Sequence, residues 1–157
     1  MTPVLCLVQV RSNSSRIDQK MMQKIGNVPL IEWVIARIEK IGFHLTIFCL
    51  PEKDKNSPLG KILMSQSKNK NFLIFYGDED NLALRFKEAI EFSIKNKLVD
   101  SPFHVCRVCG DRPFLEKDFF DVLLYAIDDY DLLYNHNIEG QFTGFGFELM
   151  NHKTVLR

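Results

Sequence analysis

VLCLVQV at residues 4–10 runs straight into RSNSSRIDQK at 11–20. The first seven residues are β-prone and apolar on both faces, the signature of a central strand in a parallel sheet with helices above and below. The next ten hold Arg11, Arg16 and Lys20 among hydroxyl and amide side chains. Downstream, Pro29 is expected to open a helix. Leu30, Ile31, Val34, Ile35, Ile38 and Ile41 then recur at three- and four-residue spacing along one face, and Gly42 is placed to end it.

The same alternation repeats to the end of the chain. HLTIFCL at 44–50 reads as a strand and 51–56 as a charged loop. Ser57-Pro58 is the N-cap and first turn of a helix to about Lys68. NFLIFY at 71–76 is a strand, after which Asp78 or Asp80 caps a helix with Leu82, Phe86, Ala89, Ile90 and Ser93 on its face. FHVCRVC at 103–109 is a strand ended by Gly110, and 116–127 a helix turning Phe119, Phe120, Leu123, Leu124 and Ile127 inward. Short strands are expected at 131–134 and 145–150. This βαβαβαβαββ order predicts an α/β fold, a three-layer αβα sandwich with a mainly parallel sheet, in one domain over residues 1–157. Ligands of such sheets bind beyond the carboxyl ends of the strands, where the strand order reverses. Three loops are therefore of interest: 11–20, 77–81 and 110–113.

Composition limits the partners. Twenty basic and twenty acidic residues cancel, so the basic surplus of a nucleic-acid binder is missing. No apolar run approaches the ~20 residues of a membrane span, and the first ten residues lack the pattern of a signal peptide. The expected location is the cytoplasm, with Cys6, Cys49, Cys106 and Cys109 reduced. Cys106 and Cys109 sit three apart on a strand and point to opposite faces, so they do not read as a zinc pair. The four histidines show no metal-ligand spacing; His136 alone is expected near a pocket rim, and Trp33 in the core or an interface.

Three cations and several hydroxyl or amide groups at a strand end suit a polyphosphate, since Arg binds phosphate in a fork and Lys as a mobile point charge. The alternative is an ordinary polar surface loop. Neither G-x-G-x-x-G nor a P-loop is present. Asp111, in Gly110-Asp111-Arg112-Pro113, is a carboxylate at a strand end facing that loop, where Mg²⁺ can bridge to phosphates. The alternative is a turn residue or helix cap.

These segments resemble a known family. Gln9-Val10-Arg11-Ser12-Asn13-Ser14-Ser15-Arg16-Ile17-Asp18-Gln19-Lys20 is similar to the Q-A-R-M-G-S-T-R-L-P-G-K signature of the cytidylyltransferase-like proteins of spore coat polysaccharide biosynthesis, relatives of acylneuraminate and 3-deoxy-manno-octulosonate cytidylyltransferases. Residues 25–35 resemble I-x-G-x-P-L-L-E-W-V-I, residues 79–86 E-D-D-V-L-A-R-Y, and residues 107–114 R-V-T-G-D-C-P-L. The matches are colinear over about residues 4–150.

The resemblance implies a nucleotide-diphospho-sugar transferase fold of the glycosyltransferase-A type, here C-terminally short. It implies Mg²⁺-dependent transfer of CMP from CTP, or of another nucleotide, to a sugar acceptor for surface polysaccharide or glycan synthesis. Homodimerisation is open. Arg11, Lys20 and Asp111 would be catalytic. The nucleotide would meet Arg11, Ser12, Asn13, Ser14, Arg16, Lys20, Asp78, Asp80 and Arg85, and the metal Asp111 and Glu148. Asn13 stands at a signature Gly, where Asn tolerates left-handed backbone. Asp18-Gln19 stands at P-G, and Gly146 at the Asp of G-L-D-V-E, in which Glu148 keeps its place. Those departures carry the alternative: a truncated homologue that binds a nucleotide or a partner without turnover.

Overall fold

The computed structural model describes residues 2–13, 16–135 and 144–155. In chain order the elements are β1 (Val4–Gln9), β2 (Lys24–Ile25), β3 (Val28–Pro29), α1 (Leu30–Ile41), β4 (Leu45–Pro51), α2 (Pro58–Ser67), β5 (Leu73–Gly77), α3 (Leu82–Lys95), β6 (His104–Cys109), α4 (Lys117–Ala126), β7 (Leu132–Tyr134), β8 (Glu148–Met150) and α5 (His152–Val155). Six strands form one sheet in the order β5-β4-β1-β6-β8-β7. The first four are parallel; β8 runs antiparallel to both β6 and β7.

Alternation along β1 builds two cores. Val4, Cys6 and Val8 face α1, α2 and α4 through Ile31, Val34, Leu63 and Phe120. Leu5 and Leu7 face α3 through Ala89, together with Ile47 and Val105. Strand β1 is buried on both sides because period-two alternation of an all-apolar segment leaves no polar face. The chain steps from β1 outward to β4 and β5, then returns past β1 to β6. The strand order therefore reverses between β1 and β6, and the crevice opens at their carboxyl ends.

Local signals behave as their chemistry requires. Ser57 Oγ accepts from the Gly60 amide at 3.0 Å, with Pro58 in the first turn. Gly42 closes α1 at φ 78°, in left-handed backbone that glycine adopts without penalty.

Other expectations are corrected. Pro29 ends the β2–β3 hairpin and precedes the helix, at ψ 143°. Of the two places expected for Trp33, the core is excluded: it is 37% exposed, and its Nε1 donates to the Ile25 carbonyl of that hairpin. Residues 52–56 form a 3-10 turn that buries Asp54, in place of a loop. The cap of α3 is Asn81, whose Oδ1 accepts from the Leu84 amide at 3.0 Å. Asp78 instead accepts from the Asp80 and Asn81 amides, which hold its carboxyl below the usual range. Phe119 is 43% exposed, because α4 turns Phe120 and Leu123 to the sheet. The last strand starts at Glu148, three residues later than expected.

Candidate active site

Two loops separated in sequence meet at the crevice. Lys20 Nζ lies 2.6 Å from Asp111 Oδ2, with 91 residues between them in the chain. Lys20 opens a 3-10 turn after the first loop, and Asp111 follows Gly110 at the end of β6. The Gly110 amide donates to the Gln9 carbonyl at 2.8 Å, so the two strand ends stay joined beyond the regular ladder.

The first loop is held from below. Asp54, 4% exposed, accepts the Ser12 amide at 2.6 Å through Oδ2. Arg11 and Asn13 line a hollow of about 130 Å³ with Gln9, Lys53, Glu79, Asp80 and Arg85. Arg16 is exposed on the same loop. Ser14 lies outside the described residues, as does His136. Among the described residues of the loop, Gln19 is the left-handed one, at φ 43° and ψ 42°, and Asn13 is not. Gln19 stands where the signature has its second Gly, and a side chain in this conformation costs about 1–2 kcal/mol.

Arg85 is 4% exposed and spends its guanidinium on the loop after β5. Its Nε and Nη2 donate to the Asp78 carbonyl at 2.8 and 2.5 Å, and Nη2 also to the Glu79 carbonyl at 3.0 Å. Glu79 Oε1 accepts the Lys53 amide at 2.6 Å, and the Lys53 ammonium beside it holds the Glu79 carboxyl below the usual range. Asp80 remains exposed at the hollow.

On the other side of Asp111, Glu148 Oε2 pairs with Arg107 Nη1 at 2.6 Å, and Arg107 Nη2 reaches Gln9 Oε1 at 2.9 Å. Arg112 donates through Nη1 to the Gly146 carbonyl. Burial pushes the Cys109 thiol up; Arg112 and Arg107 draw it down, while Asp111 and Glu148 raise it. These four charges thus surround one side chain at the end of β6. All four cysteines are free.

Sequence reasoning missed the supports. Arg107 on an apolar strand carried a signal, since a charge there needs a partner, and Glu148 is that partner. Asp54 carried none, because nothing in a charged loop marks the carboxylate that will be buried. The histidines also differ from expectation: His104, Asp128 and His152 offer ligand atoms within 4.8 Å of one another. Yet His104 Nδ1 accepts the His152 amide at 3.1 Å, so its ring proton sits on Nε2 and the ring serves as a cap for α5. A hollow of about 760 Å³ opens at that same edge, lined by Val4, His44 and His104 at the strand starts, away from Asp111.

Asp54→Ala leaves the Ser12 amide without its acceptor, which costs about 1–3 kcal/mol when buried. The expected result is a lower urea midpoint, with rescue by Asp54→Asn, whose amide oxygen can still accept. Equal midpoints for parent and Asp54→Ala would refute the anchor.

A family model described as cytidylyltransferase matches residues 5–139. Over 131 residues the chain is 24% identical to the spore coat polysaccharide biosynthesis protein SpsF of Bacillus subtilis (strain 168), covering 80% of this chain and 50% of that protein. The chain therefore spans about half the length of the curated relative it matches. A cytidylyltransferase structure from Leptospira borgpetersenii superposes with a TM-score of 0.76 at 18% identity, over 99% of this chain and 63% of that one. A CMP:2-keto-3-deoxy-manno-octonic acid synthetase complexed with CTP gives a TM-score of 0.67 at 12% identity, over 99% of this chain and 76% of that one. At these identities the superpositions establish the shared fold. No helix among the described residues is long and apolar enough to cross a membrane.

Proposed function

The chain belongs to the cytidylyltransferase family, and from that premise we propose that it transfers CMP from CTP to a sugar, releasing pyrophosphate, as a step in surface polysaccharide or glycan synthesis. The observation that carries this reading is the Lys20–Asp111 contact at the switch point, with Arg11 on the same loop. A cation and a carboxylate 2.6 Å apart satisfy each other without ligand; with ligand, each has a complementary target. Lys20 and Arg11 would bind triphosphate oxygens, and Asp111 a divalent cation.

The residues fit Mg²⁺. Asp111 is a hard oxygen donor, and its side chain is 35% exposed at the mouth of the crevice. Magnesium is held by one or two carboxylates when it keeps waters and takes phosphate oxygens. Bound there, it would neutralise charge on the phosphates during transfer. Glu148, whose Oε2 pairs with Arg107, would be the second carboxylate. Arg11 and Lys20 would orient the chain of phosphates, and a sugar oxygen would attack the α-phosphorus. Ser12, Asn13 and Asp80 lie around the hollows beside this loop and would hold the nucleoside end, while Arg85 would brace the hollow's wall through the Asp78 and Glu79 carbonyls. A reducing cytoplasm suits the four free thiols.

Gly146 favours a second reading, a nucleotide-binding module without turnover, because it offers only a backbone carbonyl, and Arg112 uses it. Two measurements separate the two. CTP with Mg²⁺ is expected to raise the melting temperature: binding at one hundred times Kd adds about 2.7 kcal/mol, equivalent to about 5–10 °C for a chain of this size. Pyrophosphate release from the four nucleoside triphosphates with a panel of acidic and deoxy sugars then tests transfer. A shift without release supports the module; no shift with any of the four at millimolar concentration removes the nucleotide site.

A further inference from the structure

Three phenylalanines meet beside the Asp111 loop. Phe114 stacks on Phe145, with centroids 5.7 Å apart and planes at 28°. Phe119 meets Phe145 edge-on, at 5.8 Å and 80°. Phe114 is 48% exposed and Phe119 43%. Large apolar side chains gathered at the surface in one group, and not scattered singly, mark a contact site.

The group is built and fixed. Gly144, at φ 102°, lies so close to Phe114 that a Cβ there would sit 3.0 Å from the ring. Arg112, between Asp111 and Phe114, donates to the Gly146 carbonyl and so ties the loop after β6 to the segment entering β8. Pro113 is buried between them in sequence. Because β8 runs antiparallel to β6, with Glu148 opposite Arg107, Phe145 arrives at the same edge of the sheet as Asp111. The hollow lined by Arg11, Lys53 and Arg85 lies on the β1–β4–β5 side. The aromatic group lies on the β6–β8 side, with Asp111 between the two.

We infer that Phe114, backed by Phe145, is the platform on which the acceptor sugar lies, its ring stacked through a C–H face against the exposed phenyl surface. This rests on the transferase reading given above. An aromatic face suits a pyranose ring, whose hydroxyls project around its rim while its C–H bonds form an apolar face. Phe114 follows the carboxylate at the switch point by three residues of sequence, so a ring resting on it would lie on the β6 side of the phosphates that Lys20 and Arg11 would hold. Phe114 would thus select acceptors with an open apolar face and disfavour those with an axial hydroxyl on that side.

The test reads binding directly. Phe114→Trp places an indole on the platform; Trp33, present in the parent, is the control. The two proteins are titrated with 3-deoxy-manno-octulosonate, N-acetylneuraminate, N-acetylglucosamine and glucose, with and without CTP and Mg²⁺. The expected result is a saturable emission change in Phe114→Trp, absent from the parent, with at least one of the four. For that sugar, calorimetry with Phe114→Ala should show about tenfold weaker binding, while the CTP-induced thermal shift stays at the parent value. No emission change with any of the four, or unchanged sugar affinity in Phe114→Ala, overturns the platform. Loss of the CTP shift in the parent itself would instead overturn the nucleotide reading and leave the sugar titration to stand by itself.

Discussion

Asp111→Asn is expected to lower pyrophosphate release by about 100-fold or more, the scale seen when one preorganised electrostatic group is removed from a reacting centre. The substitution keeps the shape and removes the charge. It leaves Lys20 without its anion and would give Mg²⁺ a neutral amide in place of a hard carboxylate. Stability should change by less than ~1 kcal/mol, because the two side chains are 30% and 35% exposed and pairs this open contribute little. Mg²⁺ titration of parent and variant, with and without CTP, checks it. The same Mg²⁺ dependence in both proteins would reject Asp111 as a ligand.

Gly110→Ala should damage fold and site together. A Cβ at this position would lie 2.2 Å from Val10 Cγ1 and 2.9 Å from the Gln9 carbonyl oxygen. Val10 is buried in the core, and the Gln9 carbonyl already accepts the Gly110 amide, so neither neighbour is free to retreat. Overpacking of this kind costs about 1–3 kcal/mol, and the upper end corresponds to a melting point about 6–12 °C lower. Relief by backbone movement would carry Asp111 away from Lys20, so nucleotide affinity should fall even well below the melting transition. Parent-like melting and CTP affinity would show that Gly110 has more room than the structure gives it.

Much of this was legible before the structure. Residues 4–10 marked the central strand because no alternation of polar residues could be found in them, and β1 is buried on both faces. Ser57-Pro58 marked a helix start because both residues act within four positions of the chain. Lys20 and Asp111 were legible as members of one site because a parallel sheet brings successive strand ends to one edge, and they meet there. The unread parts all depend on partners far off in sequence. Arg85 looked like a ligand-binding cation, yet two carbonyls of the preceding loop take its guanidinium. Asp54 is singled out among its charged neighbours only by the Ser12 amide, 42 residues away. Phe119 fitted an inward helical face until the rotation of α4 was fixed by Phe120 and Leu123. His104 and His152 come together only because β8 folds back beside β6.

The pairing of Lys20 with Asp111 would make the two proposed ligands of the crevice interdependent. On the proposed reading, phosphate drawn to Lys20 would loosen its hold on Asp111, and a cation drawn to Asp111 would do the same. The pair would need loosening only once, so whichever ligand arrived first would relieve the second of that step. The two affinities would then be linked by one coupling free energy, equal in both directions: CTP would tighten Mg²⁺ by the factor by which Mg²⁺ tightens CTP. Neutralising either end of the pair would abolish this shared step, and the heterotropic cooperativity should shrink in Lys20→Ala as much as in Asp111→Asn, even though one variant would be weakened chiefly toward the anion and the other toward the cation.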